Sequence, residues 1–527
     1  MTEPDNLQDR VFSVLADPAT HGGAPVKRID THAAAVFLAG ERAYKVKRAV
    51  RFPFLDYSTL DKRKAACQSE LDVNRPCAPD IYLGIVAVTR DAQGRLTLKG
   101  DGEPVEWAVE MLRFDDSRTL DHYADDHGID DRLASQLAGS IASMHAEAPE
   151  ADTQIWLESL ASYLDQNQDA FAEMPDLFPT DEALALDGAS RAAFDRLKPL
   201  LKQRGEAGLV RRGHGDLHLG NVVLLDRGPV PFDAIEFDPK IAAGDLLYDL
   251  AFLLMDLIER DLDRAANIVL NGYYGRARRP EDDDGIAALP LFLSVRAAIR
   301  SKVTAARLEH ADDKKRPDIG KAAKSYFDLA RRAITPPKAR LVAVGGLSGT
   351  GKSALARVLA PHLPPVPGAL VVRSDVERKA LFGVAETDRL PGDAYTPDVT
   401  AKVYARVAER AARIAAAGHS AIADAVFSKP EERTMMEDAA RNAGVALDGL
   451  FLTADLETRI QRIGGRTNDA SDADAKVARR QEDYALGDIG WRTVDASDGL
   501  DTTRKRALGA LEVLGGEEAE GSEPSSG

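Results

Sequence analysis

One eight-residue segment constrains the fold of this chain more than any other part of its 527 residues. It follows an apolar stretch, Leu341–Val344, and opens a helical pattern. Glycines there let backbone N–H groups turn toward phosphate oxygens, and a helix N-terminus adds positive potential. The pattern G-x-x-x-x-G-K-[ST] predicts a nucleotide site, with Lys352 at the β/γ-phosphates and the Ser353 hydroxyl on Mg²⁺. The residues that fit this pattern are Gly346, Leu347, Ser348, Gly349, Thr350, Gly351, Lys352 and Ser353.

The residues around this segment alternate between strand and helix patterns. Such alternation predicts a parallel sheet flanked by helices. We expect a linker at 335–339, marked by Pro336-Pro337, a P-loop domain at 340–512, and a disordered tail rich in Gly, Ser and Glu at 513–527. The four predicted strands are Leu341–Val344, Ala369–Val372, Ala421–Ala423 and Leu450–Leu452.

Polar residues follow two of these strands, where the ligand crevice of a parallel sheet lies. Asp375 is placed to accept a hydroxyl proton, Arg378 one helical turn later to bind the phosphoryl acceptor, and Asp424 to position Mg²⁺, water or substrate. A later segment rich in arginine is suited to neutralise charge on a transferring phosphoryl group. The alternative is a helix N-cap for Asp375 and a solvated helix face for each arginine. The arginines of that segment include Arg459, Arg462 and Arg466.

A second constellation lies far upstream, in the loop from His214 to Asn221. Asp216 and Asn221 have the D-x-x-x-x-N spacing of a kinase catalytic loop, and Asp233 follows a predicted hairpin. In this arrangement the Asp216 carboxylate would meet the incoming hydroxyl as the base. The Asn221 amide oxygen and the Asp233 carboxylate would be the two metal ligands. The alternative is a turn rich in Asp and Asn.

The His-Gly-Asp-Leu-His loop resembles that of the aminoglycoside and choline kinase superfamily, and the likeness covers roughly 25–335. It implies a bilobal, protein-kinase-like fold with a small lobe at 25–115 and a helical large lobe at 116–334. It also implies that a strand lysine binds the α/β-phosphates. Lys45 is preferred over Lys47, which has the same strand parity. Further residues implied for ATP binding are Glu70, as the ion-pair partner of that lysine, and Glu110 and Met111, in the hinge beside adenine.

Positions 341–500 resemble P-loop kinases related to polynucleotide kinase, gluconate kinase and zeta toxins. Asp375 and Arg378 are similar to the acceptor-activating Asp and the acceptor-binding Arg of polynucleotide kinase. Asp424 resembles a further active-site Asp, and Arg462 and Arg466 fall where that family carries lid arginines. Fusion of the two modules resembles a bacterial family described as aminoglycoside phosphotransferase-like. Together the modules imply a multidomain chain, α+β in its first part and α/β in its second.

The composition of the chain indicates which classes of binding partner are disfavoured. With 85 acidic against 68 basic residues and a net charge of −17, the chain's field disfavours binding to duplex nucleic acid. Two cysteines cannot form a disulfide framework, which fits a reducing compartment. The N-terminus lacks a signal-peptide pattern, and the most apolar stretch, Leu246–Ile258, is interrupted by aspartates and too short to span a membrane. We therefore expect a cytoplasmic protein without a membrane partner.

The leading hypothesis is an enzyme with two ATP sites, each using Mg²⁺ to transfer the γ-phosphoryl group to a small-molecule hydroxyl. A regulatory ATP-binding protein with one silent module is the second hypothesis, because the first module has no glycine-rich loop and Arg28–Val36 occupies its place. A mechanical ATPase is disfavoured because no acidic Walker-B pair is evident. A nucleic-acid 5′-hydroxyl kinase is disfavoured by the acidic field.

Overall fold

A computed structural model describes residues 4–52, 55–465 and 470–520 of the chain. It divides into two compact units. The first unit consists of Met1–Leu262 and Val295–Phe327, and the second of Asp263–Ser294 and Asp328–Gly527. The stretch Asp263–Ser294, which the sequence assigns to the first module, is thus part of the second compact unit.

The first unit contains an antiparallel lobe followed by a helical region. Up to residue 262 its elements are α1 (Pro4–Ala16), β1 (Val26–Asp30), β2 (Ala34–Ala39), β3 (Arg42–Lys47), β4 (Arg51–Phe52), β5 (Leu55–Asp56), α2 (Leu60–Asn74), β6 (Tyr82–Arg90), β7 (Leu96–Leu98), β8 (Glu103–Leu112), α3 (Leu120–His127), α4 (Asp131–Glu147), α5 (Thr153–Ala172), α6 (Thr180–Glu206), β9 (Val210–Arg212), β10 (Val222–Leu225), β11 (Gly228–Pro231), α7 (Pro239–Ala242), β12 (Ala243–Asp245) and α8 (Leu246–Glu259).

The remaining elements begin with four helices and continue with alternating strands and helices. They are α9 (Asp263–Ala277), α10 (Pro280–Gly285), α11 (Leu289–Ala306), α12 (Arg316–Ile334), β13 (Leu341–Gly346), α13 (Lys352–Leu359), β14 (Leu370–Arg373), α14 (Ser374–Leu381), α15 (Pro397–Ala416), β15 (Ala421–Asp424), α16 (Pro430–Asn442), β16 (Leu447–Thr453), α17 (Leu456–Gly464), α18 (Ala475–Arg480), β17 (Arg492–Asp495) and α19 (Leu500–Glu520). Helix α19 extends into the predicted disordered tail, and residues 521–527 lie outside the described residues.

The sheet of the small lobe has six strands in the order β1-β2-β3-β8-β6-β7. Side chains alternate between its faces. Tyr44 and Val46 of β3 pack in a cluster with Phe12 of α1, a helix that was not predicted from the sequence. Lys45 and Lys47 alternate with Tyr44 and Val46 along the strand. Their side chains therefore lie on the opposite face of the sheet, where α2 packs. Strands β2 and β3 pair antiparallel as a hairpin.

The second unit is built on a parallel sheet of five strands in the order β14-β15-β13-β16-β17. The four predicted strands are confirmed, and the parallel sheet with them. The fifth, β17, was not predicted, because its sequence, Arg-Thr-Val-Asp, is short and polar and shows no apolar run. It pairs parallel to β16 at one edge.

Helix α9 covers the opposite edge of this sheet. The side-chain amides of Asn267 and Asn271 donate to the carbonyl of Ala369 at 3.1 and 3.0 Å, and the amide of Val371 donates to Asn271 Oδ1 at 2.8 Å. These bonds satisfy backbone groups of an edge strand that would otherwise be open to pairing. Across the described residues, the structure contains no helix long and apolar enough to cross a membrane.

Candidate active sites

The P-loop of the second unit joins β13 to α13. Gly349 and Gly351 have φ angles of 90° and 94°, which L side chains rarely adopt. A Cβ at Gly349 would lie 2.5 Å from the carbonyl oxygen of Arg459, so this position has no room for a side chain. Glycine is therefore needed at both positions for the positive φ angle, and at Gly349 also because α17 lies so close.

A network behind the P-loop holds Ser348. Gln481 accepts from the Ser348 amide at 2.7 Å and donates to its hydroxyl at 3.1 Å, while Arg459 Nε donates to the Ser348 carbonyl at 2.9 Å. The Arg459 guanidinium also pairs with Glu482. Arg459 is 1% exposed and supports the loop from behind, so its interpretation as part of a phosphate-neutralising segment is wrong. Gln481 had no motif to mark it in the sequence.

In front of the P-loop lies a cavity of about 1090 Å³. Lys352 Nζ donates to the Leu347 carbonyl at 3.2 Å. Asp375 lies in the first turn of α14, and Asp424 ends the neighbouring strand β15. The structure thus brings together residues widely separated in sequence. Predicted site residues that line the cavity are Ser348, Gly349, Thr350, Gly351, Lys352, Ser353, Asp375, Arg378, Asp424 and Arg462, while Gly346 and Leu347 precede them in the loop.

The charge state of Asp375 is set by its surroundings. Burial raises its pKa, Arg373 and Lys352 act to lower it, and the nearby Asp424 carboxylate acts to raise it. The net result is a pKa above the ordinary value for an aspartate. Because a base is most effective when its pKa lies closer to the working pH, this shift suits Asp375 to accept a proton.

Two predicted arginines at this cavity are fixed by backbone carbonyls. Arg378 donates to the Ala394 carbonyl at 2.7 Å, and its guanidinium carbon lies 4.9 Å from the centre of the Tyr395 ring. Arg462 donates to the carbonyls of Ala496 and Asp498, both at 2.8 Å. Both side chains therefore hold fixed positions in the cavity wall. Arg466 lies outside the described residues.

The first unit gathers two lysines around one buried carboxylate. Lys45 Nζ lies 2.8 Å from Glu70 Oε1 and 2.6 Å from Asp233 Oδ1. Lys47 Nζ lies 2.5 Å from Glu70 Oε2 and also pairs with Glu236. Burial opposes charge on Glu70, but the two lysines outweigh it and lower its pKa. Of the two lysines, Lys45 contacts the predicted metal ligand Asp233.

The predicted catalytic loop places Asp216 beside Asn221, whose Nδ2 donates to Asp216 Oδ2 at 3.1 Å. Burial would raise the pKa of Asp216, but its hydrogen bond to His218 and the charges of His218, His214 and Arg300 lower it to about 2. Asp216 is therefore ionised at neutral pH. The predicted ligand Asp233 adopts a left-handed φ of 61°, which is uncommon for a residue other than glycine.

Asp249 of α8 supports this loop from below. Its carboxylate accepts from the backbone amides of His214 and Gly215, both at 2.9 Å, and lies 3.1 Å from His145 Nε2. Arg296 of α11 donates to the Gly215 carbonyl at 3.2 Å. Both side chains therefore help to fix the conformation of the loop. Arg296 is buried against the Tyr248 ring.

The predicted hinge residues Glu110 and Met111 lie near the carboxyl end of β8, next to β3. Glu110 Oε1 accepts from Lys99 Nζ at 2.7 Å and from the Tyr44 hydroxyl at 3.4 Å. The side chain of Glu110 is thus engaged by two neighbouring side chains of the small lobe.

Two family models match the chain. Residues 84–284 match the model described as "Phosphotransferase enzyme family", and residues 341–485 match the model described as "AAA domain". These matches, with the fold described above, show a kinase: a kinase-like phosphotransferase domain followed by a P-loop kinase domain, from families that use ATP.

Curated relatives extend over almost the whole chain. Uncharacterized protein Rv2004c of Mycobacterium tuberculosis is 28% identical over 470 residues, which cover 87% of this chain and 90% of the relative. An uncharacterized protein of Mycobacterium bovis matches with the same values. These matches therefore extend over parts of both domains of this chain.

Solved structures resemble the two parts separately. Choline kinase from Cryptosporidium parvum has a TM-score of 0.38 and 11% identity, covering 62% of this chain and 94% of that chain. Gluconokinase from Sinorhizobium meliloti has a TM-score of 0.26 and 20% identity, covering 35% and 98%. The APS kinase CysC of Mycobacterium tuberculosis has a TM-score of 0.26 and 19% identity, covering 33% and 99%.

Proposed function

We propose that the protein is a bifunctional kinase, with one Mg²⁺–ATP site in each module and a small-molecule hydroxyl as the acceptor at each. The observation that carries the proposal is the cavity of the second unit, where the P-loop, Lys352 and two carboxylates face one space. A structural P-loop would need neither a base of raised pKa nor a cavity of about 1090 Å³ in front of it.

At the second site, backbone amides of the P-loop and Lys352 bind the β- and γ-phosphates of ATP. Asp375 accepts the proton of the acceptor hydroxyl as that oxygen attacks the γ-phosphorus. Arg378, held by the Ala394 carbonyl, binds the acceptor, and Arg462, held beside the loop, faces the nucleotide. Their fixed positions provide charge that needs little rearrangement during transfer.

At the first site, Lys45 binds the α/β-phosphates and Asp216 receives the acceptor hydroxyl. In the structure Lys45 is paired with both Glu70 and Asp233, so it is held in position before nucleotide binds. Lys47 is 2% exposed and pairs with Glu70 and Glu236, so its role is to complete the charge balance around Glu70.

Mg²⁺ is commonly held by one or two protein ligands together with substrate phosphates, and the residues present fit that habit. Asn221 and Asp233 would hold it at the first site, and Ser353 and Asp424 at the second. Asp424 is 3% exposed and borders the P-loop cavity, which suits an oxygen ligand beside bound phosphates. When bound, the metal neutralises charge on the phosphoryl oxygens.

The test is transfer of labelled γ-phosphate from ATP to a panel of sugars, sugar acids, amino alcohols, aminoglycosides, nucleosides and 5′-hydroxyl oligonucleotides. Wild type is compared with Asp216→Ala and Lys352→Ala, and with two exposed controls, Asp226→Ala and Lys402→Ala. We expect one product to disappear in Asp216→Ala only and another in Lys352→Ala only. The controls should retain both.

Loss of every product in only one of the two variants would contradict bifunctionality and favour one silent, regulatory module. A product confined to the oligonucleotides would instead identify a nucleic-acid 5′-kinase.

A further inference from the structure

Ser471 lies in the second unit and lines the same cavity as the P-loop residues Gly351 and Lys352. Its hydroxyl donates a hydrogen bond to the carboxylate of Asp375. Asp375 is also within electrostatic range of Lys352 and Asp424. A hydroxyl of the chain itself is therefore hydrogen-bonded to the proposed base, inside the cavity that the proposed reaction gives to the acceptor.

The residues on either side hold Ser471 in this place. Ala470 is 4% exposed. Asp472 Oδ2 accepts from the Tyr395 hydroxyl at 2.6 Å and from the Leu390 amide at 3.1 Å, and Asp472 Oδ1 lies 3.5 Å from Lys379 Nζ. Because three separate groups anchor Asp472, the contact between Ser471 and Asp375 belongs to a fixed segment.

We propose that Ser471 is an internal phosphoryl acceptor, phosphorylated by the P-loop site of its own chain when no external acceptor is bound. The proposal rests on the kinase activity assigned to that site. Ser471 Oγ forms a bond to the γ-phosphorus of ATP, and the bond from that phosphorus to the β,γ-bridging oxygen breaks. ADP leaves with the electron pair, and the hydroxyl proton passes to Asp375. ATP is the one co-reactant.

The same geometry limits the reaction. The acceptor and the base are on one chain, so the rate per molecule is independent of protein concentration, and the stoichiometry is at most one phosphoryl group per chain. Phosphoserine adds a charge of about −1.5 to −2. Next to Asp375 and Asp424 this charge repels the base and its neighbour, so the modified chain loses turnover of the external acceptor.

The experiment incubates full-length protein with labelled ATP and no acceptor, then measures label on the protein, intact mass and the modified peptide. Variants are Ser471→Ala, Lys352→Ala and Asp216→Ala. The matched control is Ser428→Ala, because Ser428 lines the same cavity. We expect one phosphoryl group at Ser471 in wild type, Ser428→Ala and Asp216→Ala. It should be lost in Ser471→Ala and Lys352→Ala, and dilution should leave the rate constant unchanged.

Unlabelled wild type, or label that maps elsewhere and persists in Ser471→Ala, would overturn the proposal. The kinase assignment is judged separately, by transfer to a small molecule that Lys352→Ala abolishes. To exclude loss of fold as the cause, Ser471→Thr should carry phosphothreonine, and Ser471→Ala should still bind an ATP analogue. If no label maps to Ser471 in wild type, Ser471→Thr takes none and Ser471→Ala still binds nucleotide, then the proposal fails and the hydroxyl only orients Asp375.

Discussion

The two proposed phosphate-binding lysines are held in opposite ways. Lys45 bonds to Asp233, which lies 188 positions along the chain, and shares the buried Glu70 with Lys47. Lys352 bonds to the carbonyl of Leu347, five positions away and inside its own loop. The first lysine is held by tertiary structure within a balanced set of charges, whereas the second is held within a local turn of the backbone. The first lysine site should therefore be coupled to stability, and the second to function alone.

The largest expected effect follows from removing Glu70. Glu70→Ala leaves the buried Lys47 and the partly buried Lys45 with a reduced countercharge, and breaking a buried ion pair costs about 3–5 kcal/mol. We expect a loss of that size in the stability of the first unit and loss of the product that depends on Asp216. Hydrogen exchange in α2 and β3 measures the free energy of opening.

Lys352→Ala is the counterpart in the other unit. Because this lysine faces a cavity and donates to a carbonyl of its own loop, its removal should change stability by less than about 1 kcal/mol while abolishing P-loop-dependent transfer. Equal destabilisation by Glu70→Ala and Lys352→Ala would remove the contrast between the two sites.

What could be predicted from the sequence follows the same division. The P-loop was predicted residue by residue, because strand, glycines, lysine and serine are contiguous and their spacing is set by backbone geometry. Gln481, which holds Ser348 from 133 positions away, could not be predicted, because a buried amide in a helix-rich polar stretch leaves no periodic signal. At the first site, spacing predicted Asp216 and Asn221, but not that Lys47 and Glu236 complete the charge balance.

The domain boundary shows the same limit. The proline pair at 336–337 marks the end of a helical pattern, but α9 and α10 precede it and belong to the second compact unit. Side-chain contacts attach these helices to the second unit, such as those of Asn271 with Ala369 and Val371. Such contacts cannot be predicted from a local sequence pattern.

Helix α14 carries the proposed base Asp375 and the proposed acceptor-binding Arg378. Contacts of α14 with distant parts of the chain show whether the second site depends on tertiary structure beyond the P-loop. Asp283 of α10 accepts from Arg410 at 2.8 Å, and Arg410 also pairs with Glu377, two residues after Asp375, at 2.7 Å. Asp283→Ala should destabilise the second unit by about 2 kcal/mol, as for lost hydrogen bonds to a charged group. It should also raise KM for the acceptor. Urea unfolding and steady-state kinetics measure these effects.

Asp284→Ala is the matched control, because Asp284 pairs with Arg413 on the surface and is half exposed. Exposed pairs contribute about 0–1 kcal/mol. If the two variants behave alike, α10 contributes nothing specific to the position of α14, and the second site is local throughout.

A smaller effect is expected at Gln481. Gln481→Ala leaves the Ser348 amide and hydroxyl without this partner, at a cost of about 1–2 kcal/mol. Since the loop is displaced and the reacting groups remain, KM for ATP should rise about tenfold with little change in kcat. Gln461→Ala, on the exposed face of α17, should leave both constants unchanged. A fall in kcat at constant KM would mean that Gln481 acts on the chemical step.

The last prediction concerns the pH dependence of the two transfer reactions in the wild-type protein. The two rates should decline at different pH values. A base works when deprotonated, so transfer falls as pH drops through its pKa. The pKa of Asp216 is lowered to about 2 by His218, His214 and Arg300 against burial, whereas burial and Asp424 raise that of Asp375. On acidification, the P-loop product should therefore disappear first.

The test measures kcat/KM for both products in the same ATP solution as the pH is lowered. The ratio of the two values is informative because titration of the nucleotide affects both reactions. A ratio that stays constant down to the pH at which the fold is lost would show that the two carboxylates do not differ as bases.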